Sequence, residues 1–192
     1  MAILFSHGAT QLLAGEGGHI LVDPYFVHNH MAVESTLHLL TRWYDFLVEH
    51  GELLMSMEAA EVTGAYVGSY NADLDVAYPG HRVTHEPVAG SVWRRVIAAD
   101  GRLVLHLINL GGQSDTLWDV PHRPPADVGL GTLRMRRWGP GLPRVRIADP
   151  DGTPRLVDLP VDADGDDAIV ALPKLHVWQM ILIDTPPTES AR

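Results

Sequence analysis

Apolar positions change their spacing once along this chain. Val33, Leu37, Leu40, Tyr44 and Leu47 recur every three or four residues, one stripe on an α-helix. Trp43, Phe46 and Leu54 widen the stripe, while Arg42, Asp45 and Glu49 lie off it, so a single helix is predicted over about Val33–Leu54. Gly51 weakens its last turn. Upstream, Ala9 to Ala14 is a short run bounded by glycines and reads as a strand. Ala2–Ser6 reads as the last turn of a helix that Gly8 closes in the left-handed conformation. The turn Gly15-Glu16-Gly17-Gly18 and an extended loop at Asp23-Pro24-Tyr25-Phe26 complete this part, Pro24 biasing Asp23 away from helix.

From Val62 onward Gly, Pro, Asn and Asp recur every few residues, with β-branched runs between them. Val92–Ala98 and Leu103–Leu110 flank Ala99-Asp100-Gly101-Arg102, a strong hairpin signal. Further strands are predicted at Leu133–Arg137, Val145–Ala148, Arg155–Val161, Ala168–Leu172 and Val177–Ile183. Short strands in series with no helix between them predict an antiparallel β-sandwich. One strand and one helix cannot close a core, because each buries a single face. Residues 1–60 therefore read as the last βα unit of a larger α/β domain, 61–185 as the sandwich and 186–192 as a disordered tail. The catalytic machinery is then expected upstream of Met1. A helix stripe left without its sheet is also a surface for self-association.

Composition narrows the function classes. Apolar residues make up 46% and charged residues 20%, the balance of a globular chain. The formal net charge of −10 argues against nucleic acid and anionic membrane surfaces, both of which need a basic patch. A neutral ligand such as a carbohydrate is unaffected. The chain has no cysteine, which excludes disulfides, zinc-thiolate sites and thiol nucleophiles. Met1–Phe5 is too short for a signal-peptide core or a membrane span, so the compartment stays open. No G-x-S-x-G elbow, phosphate loop or H-E-x-x-H motif occurs, and no cofactor is expected.

Several motifs in register carry a resemblance. Gly15-Glu16, Ile20-Leu21 and Pro24-Tyr25-Phe26 are followed by Trp43-Tyr44-Asp45-Phe46-Leu47-Val48 and Glu52-Leu53-Leu54. Together they resemble the closing segment of the catalytic barrel in glycoside hydrolase family 66, the dextranases and cycloisomaltooligosaccharide glucanotransferases. His106-Leu107-Ile108-Asn109-Leu110, Trp118-Asp119, Ala148-Asp149-Pro150-Asp151 and Leu172-Pro173-Lys174-Leu175-His176-Val177-Trp178-Gln179-Met180-Ile181 continue the likeness in order. The resemblance implies an α+β fragment: the last βα unit of a (β/α)8 barrel followed by an antiparallel β-sandwich. It also implies retaining cleavage or transfer at α-1,6-glucosidic linkages by an aspartate nucleophile and a glutamate acid/base. Such a pair sits about 5 Å apart across the sugar, and in the family both belong to earlier barrel strands. This chain is then expected to hold neither and to be inactive alone, meeting α-1,6-glucan or isomaltooligosaccharide through the intact barrel. Trp43, where tyrosine is common, and Asp149, where serine is usual, depart mildly from the family pattern.

The resemblance puts Glu16 at the C-terminal end of a barrel strand, where barrel enzymes carry their active sites. Its carboxylate then holds sugar hydroxyls or tunes a catalytic partner; the alternative is an exposed turn residue. His19, His28 and His30 cluster near Asp23 and Asn29. Two histidines and a carboxylate can bind a metal, but the spacing matches no dedicated motif, and sugar contact by His19, Asn29 or His30 or a plain loop are the other readings. Asp162, Asp164, Asp166 and Asp167 lack the glycine and glutamate of a calcium loop and read as a polar hairpin turn. Trp93, Trp118, Trp138 and Trp178 are either core or a sugar-stacking platform, Trp178 being expected in the core. The competing function is a non-catalytic carbohydrate-binding or structural β-sandwich module.

Overall fold

The longest strands of the chain are apolar on both faces, and that property organises its layers. The computed structural model describes residues 1–10, 19–20, 30–68, 73–117, 122–136 and 141–184. Its helices are α1 (Ala2–Ser6), α2 (Glu34–Glu49) and α3 (Gly51–Leu54). A two-residue ladder pairs β1 (His19–Ile20) with β2 (His30–Met31). Then follow β3 (Ala60–Glu61), a 3-10 turn at Thr63–Tyr66, β4 (Leu74–Ala77), β5 (Val83–Thr84), β6 (Val92–Ala99) and β7 (Arg102–Asn109). The chain continues through β8 (Gly131–Met135), β9 (Arg144–Ala148), β10 (Val157–Leu159), β11 (Val161–Asp164), β12 (Asp167–Leu172) and β13 (Trp178–Asp184).

These strands form two sheets. The larger runs β10-β9-β13-β7-β6-β3, with β5 added in parallel beside β6; the smaller runs β11-β12-β8-β4. All pairings except β5 with β6 are antiparallel. One core lies between the sheets, where Val92, Val96, Leu105, Leu107, Ile181 and Ile183 of the large sheet meet Leu74, Leu133, Met135 and Val170 of the small one. A second core lies on the opposite face of the large sheet. There Val104, Ile108, Trp178, Met180 and Leu182 meet Phe5 of α1, Trp43, Phe46 and Leu47 of α2, and Leu53 and Leu54 of α3. The order of layers is helices, large sheet, small sheet. Strands covered on both faces are mostly apolar, and β6, β7 and β13 are buried almost throughout, with Arg94, Arg95, His106 and Gln179 as buried polar residues among them.

The β6–β7 hairpin turns at Asp100 and Gly101 with φ of 50° and 70°. Two successive positive φ values match the right-handed twist of the flanking strands, and only glycine and short polar residues take them at low cost. Gly8, with φ of 68°, is also required by space, since a Cβ there would lie 2.6 Å from the Leu54 carbonyl oxygen. At that point the ends of α1 and α3 cross.

Two expectations need correction. The helix predicted over Val33–Leu54 is two helices, because His50 adopts φ −107° and ψ 17° and Gly51 then starts a separate turn. The strand predicted over Arg155–Val161 is split at Pro160, which lacks the N–H a continuous ladder would use: β10 pairs with β9 in the large sheet, and β11 with β12 in the small one. The short strands β3, β4 and β5 were not legible as apolar runs. The aspartates at 162–167 form the hairpin of β11 and β12, where Gly165 supplies a φ of 64° and Arg134 pairs with Asp164 and Asp167. The strand predicted at Ala9–Ala14 and the tail at 186–192 lie largely or wholly outside the described residues. No helix of the described residues is long and apolar enough to cross a membrane.

Candidate functional site

Of the residues that sequence reasoning singled out for sugar contact, the structure describes His19 and His30. Glu16 and Asn29 lie outside the described residues, as do Asp23 and His28. His19 and His30 are brought together as backbone: His19 pairs with Met31 and Ile20 with His30. Trp93 and Trp178 are 7% and 0% exposed and belong to the core rather than to a surface platform, while Trp118 and Trp138 lie outside the described residues.

The segment that carries this pairing is fixed to the large sheet by a buried polar cluster that sequence reasoning missed. Arg95 lies on the helix-facing side of β6, 6% exposed. Its Nη1 donates to the Ser6 carbonyl at 2.6 Å and to Ser6 Oγ at 3.2 Å. The last carbonyls of a helix have no partner within it, so Arg95 caps α1. Its Nη2 pairs with Glu61 Oε2, and Glu61 in turn accepts from Thr63. Burial pushes the Glu61 carboxyl up, but hydrogen bonds from Thr63 and the charge of Arg95 outweigh it and leave it below its ordinary value. His106 stands beside this cluster, and its Nδ1 accepts from Trp178 Nε1 at 3.3 Å. Burial first, then the nearby charges of Arg95 and His7, push the imidazole down to about 3, so it is neutral at physiological pH.

A second attachment comes from the turn after β9. Asp149 Oδ1 accepts from the backbone N–H of Asp151 at 2.7 Å and of Gly152 at 3.1 Å, which shapes the turn. The turn aims Asp151 at α2, where its Oδ1 accepts from Trp43 Nε1 at 3.0 Å and pairs with Arg42. Burial pushes the Asp149 carboxyl up, opposed by those backbone donors. Both departures from the family pattern noted in the sequence, Trp43 and Asp149, meet at this joint.

Beside the joint lies a polar cleft of about 410 Å³. One wall is the bridge between Val128 and Leu175, two backbone hydrogen bonds of 2.8 and 3.0 Å that set Asp127 opposite Lys174 and His176. Asp127 accepts from Lys174 Nζ at 3.0 Å and contacts His176 Nδ1 at 2.6 Å. The hydrogen bonds from Lys174 and then His176 hold its carboxyl below the ordinary range. The other wall is the Asp149–Thr153 turn. The signal for this cleft was present in the Leu172–Ile181 motif, but its partner Asp127 is far away in sequence. Among the described residues no group of three His, Cys, Asp or Glu is placed to hold a metal ion.

Comparisons with known proteins agree with this architecture. The chain matches the family described as glycosyl hydrolase family 66 over residues 1–182. No curated protein matches it. Among solved structures it is similar to a cycloisomaltooligosaccharide glucanotransferase from Paenibacillus sp., complexed with cycloisomaltoheptaose, with a TM-score of 0.77 and 22% identity. That match covers 94% of this chain and 26% of the glucanotransferase, so the chain spans about a quarter of its relative's length. A weaker match, to alpha-L-fucosidase isoenzyme 2 from Paenibacillus thiaminolyticus, has a TM-score of 0.39 and 14% identity over 59% of this chain and 15% of that one, and no argument rests on it. A family match over all but the last ten residues, on a sandwich with helices docked to one sheet, makes this chain a member of glycosyl hydrolase family 66.

Proposed function

We propose that this chain forms the carboxyl-terminal part of a retaining glycoside hydrolase or transglycosylase acting on α-1,6-glucans, and that the catalytic aspartate and glutamate belong to barrel strands outside it. The observation that carries this reading is the agreement over 94% of the chain with a glucanotransferase complexed with cycloisomaltoheptaose. Helix α2 supports it independently. Its second half rests on the large sheet through Trp43, Phe46 and Leu47. Its first half, with Leu37 and Leu39 each 37% exposed and Val33 just before it 65% exposed, carries an apolar surface suited to a further layer such as a barrel sheet. In this reading 1–60 close the barrel, and Glu16, His19, Asn29 and His30 line its sugar-facing rim. Glu16 accepts hydrogen bonds from sugar hydroxyls, while the catalytic pair carries the two displacements of a retaining mechanism.

The test has two arms. The isolated chain incubated with dextran should release no reducing ends, because removal of a nucleophile and acid/base costs many powers of ten in rate. Release abolished by mutating a carboxylate of this chain would sink the fragment reading. Within the full-length enzyme, Glu16→Gln should lower activity on α-1,6-glucan about tenfold or more, as expected for a lost hydrogen bond to a charged group, with the melting temperature almost unchanged. Parental activity would make Glu16 a turn residue only.

A further inference from the structure

The cleft between the Asp149–Thr153 turn and the Asp127–Lys174–His176 group has a donor and acceptor pattern that selects its ligand class. Asp127, its carboxyl held below the ordinary range, is an acceptor only, so the 2.6 Å contact is a hydrogen bond that His176 donates from Nδ1, and its Nε2 is left for a ligand. Lys174 Nζ has one partner, Asp127, and two further protons to give. Asp149 spends Oδ1 on two backbone donors, and its Oδ2 has no partner among the described residues. Asp151 likewise uses Oδ1 toward α2, and its Oδ2 and the Thr153 hydroxyl remain unpartnered there. Ile147 and Pro173 give the cleft an apolar surface between these groups.

Charge disfavours an anion, which would meet three carboxylates against one ammonium, and among the described residues no group of three His, Cys, Asp or Glu is placed to hold a metal ion. A neutral ligand that both donates and accepts at closely spaced positions satisfies both kinds of group at once. Sugar hydroxyls do this, each offering one donor and two acceptor sites. A volume of about 410 Å³ falls within the range of about 300–1,000 Å³ for small-ligand sites.

We propose that this cleft is a carbohydrate-binding site on the sandwich that holds glucosyl units of an α-1,6-glucan chain through Asp149, Thr153, Lys174 and His176. The choice of an α-1,6-glucan rests on the function proposed above; the choice of a neutral polyhydroxyl ligand rests on the cleft alone. Because Asp151 also holds α2, a bound glucan would lie beside the joint between the sandwich and the helical layer.

The test is a titration of the isotopically labelled 192-residue chain with isomaltoheptaose and, separately, maltoheptaose, followed by amide chemical shifts. Isomaltoheptaose should give saturable shifts centred on residues 149–153 and 174–176. Lys174→Ala and Asp149→Asn should each weaken binding about tenfold or more, the equivalent of one hydrogen bond to a charged group. Asp149→Asn keeps an Oδ1 for the turn, and an unchanged spectrum outside the cleft checks that both variants fold. Absence of binding by either sugar, or shifts that map elsewhere, would overturn the cleft and leave the dextran assay untouched. Binding of maltoheptaose with no response to isomaltoheptaose would instead overturn the α-1,6 assignment on which the proposal depends.

Discussion

Trp43 Nε1 donates to Asp151 Oδ1 across 3.0 Å and more than a hundred residues of sequence. Trp43 is 3% exposed and lies against Trp178 with ring centroids 5.9 Å apart. Asp151 is the partner of its N–H. The pair therefore joins the helical layer to the sandwich by a hydrogen bond to a charged group beside an aromatic contact.

Asp151→Ala should lower the stability of the chain by about 1–3 kcal/mol, the cost of stranding a buried donor. Trp43→Phe removes the donor as well as some packing. The double variant should then lose less than the sum of the two single losses, as partners in contact do. Urea denaturation of the four proteins measures this, and strict additivity would mean that the hydrogen bond contributes nothing.

Protection from hydrogen exchange should divide α2 into two parts. Trp43, Phe46 and Leu47 are buried on the large sheet, whereas residues 34–42 are mostly exposed. Amides in the second half should exchange nearly as slowly as those of β7, and amides in the first half much faster. This differs from the expectation that the whole stripe lacks a partner. A uniform rate along the helix would contradict the division.

That difference marks how far the sequence could be read. Period alone grouped Val33, Leu37, Leu40, Tyr44 and Leu47 as one stripe and treated Trp43 and Phe46 as its margin. The structure makes Trp43 and Phe46 the centre of the contact with the sandwich, because the face turned to the large sheet is Trp43, Phe46 and Leu47, while Val33 and Leu37 of the stripe are exposed. The β6–β7 hairpin was legible because Asp100-Gly101 acts locally. Arg95 and Asp127 were not, since their partners Ser6 and His176 lie 89 and 49 residues away and no local rule connects them. Of the residues proposed for sugar contact, Glu16 and Asn29 lie outside the described residues, and His19 and His30 are described as paired backbone.

Arg95→Ala should loosen the first turn of the chain. It removes the cap on the Ser6 carbonyl and the partner of Glu61, and the arginine also lies 5.6 Å from the Trp93 ring centroid. Glu61 is half-exposed, so solvent takes up part of its charge, and the loss should stay near about 1.5–3 kcal/mol, the range for hydrogen bonds to a charged group. Exchange at Phe5, Ser6 and Glu61 amides should accelerate more than at β12. Equal acceleration across both sheets would show global unfolding rather than release of α1.

His106 sets a pH dependence whose sign follows from burial. Its folded value is pushed down to about 3, against about 6.5 when unfolded. Between those values the unfolded chain binds the proton and the folded chain does not. Stability must therefore rise with pH across this window and fall as the solution is acidified below about 6.5. The slope contributed by one such group approaches about 1.4 kcal/mol per pH unit in the middle of the window. The groups facing the ring act in the same direction, since Arg95 and His7 both oppose a second positive charge there. His106→Gln keeps a polar group near Trp178 Nε1 but cannot take up a proton. It should lose some stability at pH 7 through altered packing, yet its stability should decline less steeply between pH 6 and 4 than that of the parent. Denaturation midpoints measured at half-unit steps across that range decide the matter. If parent and variant decline in parallel, the acid sensitivity belongs to carboxylates elsewhere, and His106 carries no share of it.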